Sequence, residues 1–284
     1  MLTSLALFAG LLAPLVLAAP IVDKVITPAG YRANANMFQI PEGGTLAHVG
    51  AEIHVLAADG TIVHKATRGG PTRIKGAAAP LETGWITYAD WLNTGASPIS
   101  SFTTTWTVPE APQTNHGQTV FLFNSIEPAA GDAILQPVLQ FGPSAAGGGA
   151  SWAVATWYLD SQNTFFTTLV PVSVGQTLDG VITLTSSAGS SFNYNSQFSN
   201  VARTSLAVTG AAELVWATET LEAYGITAIS DYPAGATEFS GINLKLASGA
   251  TPSVAWAHVN DAADGLSTTI NTNGASGAVI TIKY

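Results

Sequence analysis

Two short stretches carry the side chains most able to do chemistry. In ELVWATETLEAY, residues 213 to 224, three carboxylates stand close together: Glu213, Glu219 and Glu222. Read as a β-strand, whose alternate residues share a face, the run places Val215, Ala217, Glu219 and Leu221 on one side and Trp216, Thr218, Thr220 and Glu222 on the other. Glu219 is therefore a carboxylate between apolar neighbours. Desolvation on a buried face raises a carboxyl pKa, as general acid–base catalysis requires. In DAILQPVLQFG, residues 132 to 142, Gln136 and Gln140 share a face with Ile134 and Val138, so two uncharged amides stand where aliphatic side chains would pack better.

Several other chemistries are excluded. The chain has no cysteine, which rules out thiol catalysis and disulfides. There is no HExxH run, and His48, His54 and His64 lie in the front of the chain with His116 and His258 far away, a distribution expected of surface or packing residues. FGPSAAG lacks the second glycine of a nucleophile elbow, and no phosphate loop or dinucleotide fingerprint follows a strand. No metal and no cofactor are expected.

These residues sit on elements of one kind. WITYADWL, SSFTTTWTV, QTVFLFNSI, AILQPVLQF, SWAVATWYL, LDGVITLTS, EFSGINLKL and AVITIKY are short runs rich in Thr, Val and aromatics, with Gly, Pro or Asn between them, and no helical period persists. The expected fold is all-β, a two-sheet antiparallel β-sandwich, with an N-terminal hairpin marked by Asp59-Gly60 inside residues 45 to 67. The loop GPSAAGGGAS has two readings, a flexible loop lining a site or, more simply, a connection from one sheet to the other. Three segments are expected: 1–18, a signal peptide; 19–80, a basic front segment that is either a propeptide or an added hairpin; and 81–284, the β-sandwich.

The signal peptide is argued from an apolar run that ends in small residues, with Val16 and Ala18 suited to a cleavage site and Pro14 and Pro20 interrupting a stretch already short for a span. The mature chain, roughly 265 residues, is long enough to form a core without disulfides. It is expected to be secreted, monomeric and free of the membrane. Net charge is −9, and six of the nine basic residues precede position 76, leaving Arg203, Lys245 and Lys283 among the acidic remainder. Such a chain repels phosphate backbones, so nucleic acid is not an expected partner. Few charges also suit a protein that works in acid.

The order of motifs resembles the glutamic peptidases, or eqolisins, secreted fungal acid proteases built as a jelly-roll-like, concanavalin-like sandwich. The resemblance runs over about residues 81 to 250: Trp85, a T-W-T-V-P strand end at Trp106 to Pro109, A-I-L-Q at Ala133 to Gln136, Trp157-Tyr158, V-G-Q-T-L at Val174 to Leu178, and W-A-T-E at Trp216 to Glu219. It implies a catalytic dyad of Gln136 and Glu219, in which the carboxylate activates water and the amide stabilises the oxyanion. It further implies a polypeptide substrate bound along Trp85, Asn124, Gln140, Thr156 and Trp157. Thr156 and Gln140 stand where the family has acids, and FLFNSIE replaces a family strand, with Asn124 and Glu127 its nearest polar residues. The rival expectation is a glycan-binding or polysaccharide-degrading jelly roll, with Trp85, Trp91, Trp152 and Trp157 as sugar-stacking surfaces. A third is a secreted homologue without catalysis.

Overall fold

The computed structural model describes residues 23–72, 84–260 and 265–284. The expected signal peptide and the junction between front segment and sandwich lie outside them. The front segment supplies β1 (Lys24–Thr27), β2 (Gly30–Ala33), β3 (Met37–Gln39), β4 (Thr45–Val49), β5 (Glu52–Leu56) and β6 (Ile62–Thr67). Then follow β7 (Gly84–Leu92), β8 (Ile99–Thr107), β9 (Thr119–Pro128), β10 (Ala133–Ser144), β11 (Gly147–Asp160), β12 (Thr164–Phe166), β13 (Val170–Pro171) and β14 (Thr177–Ala188). The remainder are β15 (Ser191–Phe198), β16 (Leu206–Ala211), β17 (Leu214–Tyr224), β18 (Ala236–Leu246), β19 (Ala257–Val259), β20 (Ser267–Thr272) and β21 (Ser276–Lys283). Helical structure among the described residues is confined to two 3₁₀ turns.

The strands form a nine-stranded sheet, in the order β19-β7-β17-β9-β10-β11-β12-β3 with β13 beside β11, and a ten-stranded sheet, β20-β21-β18-β8-β14-β15-β16-β4-β5-β6. The hairpin β1–β2 stands apart. The fold is thus the all-β sandwich expected. The front segment is woven into it: β3 pairs in parallel with β12, and β4 in parallel with β16, so residues 37 to 67 extend one edge of each sheet. β15 and β16 were not anticipated, although Phe192, Tyr194 and Phe198 alternate toward the core.

The two sheets close on a core to which the nine-stranded sheet gives Leu122, Ile126, Leu135, Leu139, Ala217 and Leu221, and the ten-stranded sheet Phe102, Trp106, Leu178 and Ile182. The outer face of the nine-stranded sheet is apolar as well, with Phe121, Phe123, Ile134, Val138, Trp157 and Tyr224 packed beneath Ile26 of β1. β9 and the first ten residues of β10 are consequently buried on both sides. Apolar residues accordingly run consecutively in them, Val120 to Phe123 in β9 and Ala133 to Leu135 in β10, rather than alternating with polar ones.

The stretch GPSAAGGGAS does not cross between sheets. It closes a hairpin within one sheet, Ser144 pairing with Gly147, with a bulge at Phe141/Gly142. Gly142 has φ 93°, and a Cβ there would stand 2.0 Å from the Gln118 carbonyl oxygen and 2.9 Å from the Thr119 Cα. Both obstacles are backbone and cannot swing aside. Gly142→Ala is expected to cost about 3 kcal/mol or more, from left-handed strain and overpacking together. Urea unfolding of wild type and variant measures this directly.

Candidate functional site

The register of β10, β9 and β17 decides which side chains can meet. Leu135 lies opposite Ile126 and Val138 opposite Phe123, so Gln136 falls beside Ser125; Ser125 in turn is paired with Thr218. Gln136 therefore belongs to an outer-face row with Trp157, Ser125 and Thr218, whose hydroxyls are 2.7 Å apart. Glu219 is the next residue along β17 and points the other way. It stands between Ala217 and Leu221 in the core, and its Oε1 accepts a 2.5 Å hydrogen bond from Thr104 Oγ1 on β8 of the opposite sheet. The expected dyad of Gln136 and Glu219 does not assemble, because a one-residue difference in strand position puts the two on opposite faces.

The same parity sorts the other expected site residues. Trp85, Trp157 and Gln140 lie on the outer face with Gln136. Asn124 is the direct cross-strand partner of Glu219 and faces the core, where its Oδ1 approaches Gly180 on β14. Thr156 alternates with Ala155 and Trp157 and also faces inward. Gln140 is structural rather than free for a substrate: its Nε2 donates to the carbonyls of Gly142 and Gly147 at 2.7 and 2.9 Å, and its Oε1 accepts from Ser144 Oγ. Of the tryptophans expected as sugar platforms, Trp152 and Trp91 pack on the inter-sheet core, while Trp85 and Trp157 are 6% and 0% exposed.

The front hairpin covers the outer face. Gln136 Nε2 donates to the Pro28 carbonyl at 3.3 Å, Ala145 N–H donates to the Ile26 carbonyl at 2.9 Å, and Arg32 Nη1 donates to the carbonyls of Asp160 and Asn163 at 2.6 and 3.1 Å. Gln136 Oε1 and Trp157 Nε1, neighbours across β10 and β11, are buried without hydrogen-bond partners among the described residues. A cavity of about 250 Å³ opens at the hairpin's side between Tyr31, Thr119, Pro143 and Tyr224. By the register, the carboxylate nearest Gln136 on its own face is Glu127, two residues beyond Ser125 on β9 and paired with Trp216. Such diagonal neighbours have Cα atoms about 7–8 Å apart, within reach of long side chains. The sequence named Glu127 only as a polar neighbour, and nothing in it pointed to Pro28.

Glu222 is the second fully buried carboxyl of the outer face. Burial pushes its pKa up to about 8, opposed by a hydrogen bond from the Tyr224 hydroxyl and by Arg32, and supported by Glu127. Burial likewise holds the Glu219 carboxyl well above its ordinary value, opposed by the Thr104 hydroxyl.

No protein-family model and no curated protein matches the chain. Among solved structures it is similar to scytalido-glutamic peptidase in complex with a peptide-based transition-state analogue, at 14% identity over 70% of this chain and 98% of that one, with a TM-score of 0.46. It is also similar to SCP-B, of the eqolisin family of peptidases, in complex with the tripeptide Ala-Ile-His, at 14% identity over 70% and 98% of the two chains and a TM-score of 0.45. Aspergilloglutamic peptidase from Aspergillus niger matches at 17% identity over 58% and 98%, with a TM-score of 0.35. These are distant likenesses of fold and assign no residue a role.

The two raised carboxyls set a direction for stability. Each is neutral in the fold and ionises in the unfolded chain above about 4.5, so each withdraws about 1.4 kcal/mol per pH unit from there up to its folded pKa. His48, which burial lowers from 6.5 to about 4, acts oppositely between those values. Above about 6.5 the opposing contribution of His48 is complete and the carboxyls act alone, so stability falls from there toward pH 8. Melting temperature is expected to fall from about pH 6.5 to 8, and Glu222→Gln to flatten the fall; calorimetry across that range checks both.

Proposed function

We propose that this chain is an exported peptidase-type hydrolase that binds polypeptide on the outer face of its nine-stranded sheet, with Gln136 as the amide that receives the substrate carbonyl. The observation that carries the reading is the bond from Gln136 Nε2 to the Pro28 carbonyl. A main-chain carbonyl of a turn-forming segment already lies on that amide, in a setting lined by Trp157, Phe123 and Val138. Gln136 Oε1 is the matching acceptor for a main-chain N–H. Export is proposed from the apolar run at residues 1–18.

The chemistry needs a carboxylate on the face that bears Gln136, and Glu127 is the one the register brings closest. In the proposed step Glu127 takes a proton from water as the oxygen adds to the carbonyl carbon. Gln136 Nε2 donates to the resulting oxyanion, and the proton passes to the leaving amine as the C–N bond breaks. The substrate must first displace the hairpin from Gln136. Loosening its Arg32 tether should therefore raise activity.

The test follows cleavage of an unfolded protein substrate from about pH 2 to 6, where a carboxylate changes charge. Gln136→Ala is expected to lower kcat by about 10²–10³, the effect of losing one oxyanion donor. Glu127→Gln should abolish cleavage, Arg32→Ala should increase it, and Glu219→Gln should leave it within about twofold, since Glu219 faces the core on the side of the sheet away from Gln136. Loss of cleavage in Glu219→Gln with unchanged melting temperature would restore the dyad implied by the family resemblance. No cleavage by wild type or Arg32→Ala at any pH would reduce the face to a binding surface.

A further inference from the structure

A separate cavity of about 240 Å³ opens where the front segment meets the loops after β12 and β15, lined by Ile40, Glu42, Thr167, Thr168, Arg203 and Ser205 among others. Its volume equals that of about eight liquid waters at about 30 Å³ each, the scale of a molecule with a handful of heavy atoms. Opposite charges stand at its solvent-exposed rim: Arg203 and Glu42 are both exposed, and neither has an ion-pair or hydrogen-bond partner among the described residues. Cations are scarce in this part of the chain, Arg203 being one of three basic residues beyond position 75. Arg203 is also the one non-glycine residue among those described with positive φ, 66°, a conformation that a side chain with a Cβ adopts at a cost.

Two hydroxyls complete the lining. Thr167 Oγ1 accepts from the Thr156 N–H at 2.9 Å and is 4% exposed; Thr168 Oγ1 accepts from Gln39 Nε2 at 3.1 Å. Neither donates its own hydrogen to a described residue, so both O–H groups remain as donors in the cavity that Arg203 also lines. Three donors of this kind suit a carboxylate, and Glu42 supplies the acceptor for a cation. Ile40, 2% exposed, and Pro41 form an apolar wall.

We propose that this cavity binds a free aliphatic α-amino acid, its carboxylate held by Arg203 with the Thr167 and Thr168 hydroxyls, its ammonium by Glu42, and its side chain against Ile40 and Pro41. Arg203 bears its backbone strain to present the guanidinium to that carboxylate. The site is distinct from Gln136 and its role is independent of the peptidase proposal.

The test is calorimetric titration of the protein with leucine, with leucinamide, which lacks the carboxylate, and with isocaproate, which lacks the ammonium. Leucine should bind saturably, leucinamide should give no saturable heat, and isocaproate should bind about tenfold more weakly, as should leucine to Glu42→Gln. Arg203→Gly should abolish leucine binding while raising the melting temperature, because glycine takes the positive φ without strain. That rise shows that the loss is not unfolding. The proposal is overturned by the absence of saturable heat from leucine up to about 10 mM, or by leucine binding to Arg203→Gly as it does to wild type.

Discussion

The central strands of the nine-stranded sheet are buried on both faces, and that constraint governs the rest of the molecule. The sheet's inner face closes on the ten-stranded sheet and its outer face on the front hairpin, so β9 and most of β10 have no solvent side. Every residue of these strands must fit one of two interiors, and each polar residue must find a partner or remain unsatisfied. Parity along the strand therefore decides chemistry. Gln136 and Glu219 both carry functional groups suited to hydrolysis, yet they serve different compartments.

Charge follows the same logic. Asp231 shows what a fully buried carboxylate needs in order to stay ionised. Burial would raise its pKa, but Thr114, the Thr227 amide and hydroxyl, and His116 all hydrogen-bond to it and hold it well below the ordinary range. Glu219 has a single donor, Thr104, and Glu222 has the Tyr224 hydroxyl with Arg32 nearby; both are pushed upward. Keeping these two carboxyls neutral contributes stability that is lost as pH rises through their folded pKa values, whereas the contribution of Asp231 is lost as pH falls.

The front segment links packing to function. Its strands complete both sheet edges, Asp160 binds the Gly69 N–H through its carboxylate and Arg32 through its carbonyl, and the turn at Pro28 rests on Gln136. One piece of chain thus stabilises the sandwich and occupies the face where a polypeptide is proposed to bind. Access to Gln136 requires the β1–β2 hairpin to move, while β3 and β4 stay paired.

The sequence by itself determined the all-β sandwich, the positions of most strands, the Asp59-Gly60 hairpin and the faces of β10 and β17, because alternation and turn residues are local properties of the chain. Val215, Ala217, Glu219 and Leu221 were already one face on paper, and Ile134, Gln136 and Val138 another. What no local pattern contained was which of those faces point to the same side of the sheet. That relation is set by hydrogen-bond register across β9, where Gln136 falls beside Ser125 and Thr218 and leaves Glu219 one residue out of phase. The tertiary structure alone also brought Pro28 to Gln136, 108 residues apart, and gathered Glu42, Thr167 and Arg203 around one cavity. Strand pairing and sheet closure are long-range contacts, and residues distant in sequence meet only when the whole sandwich has closed.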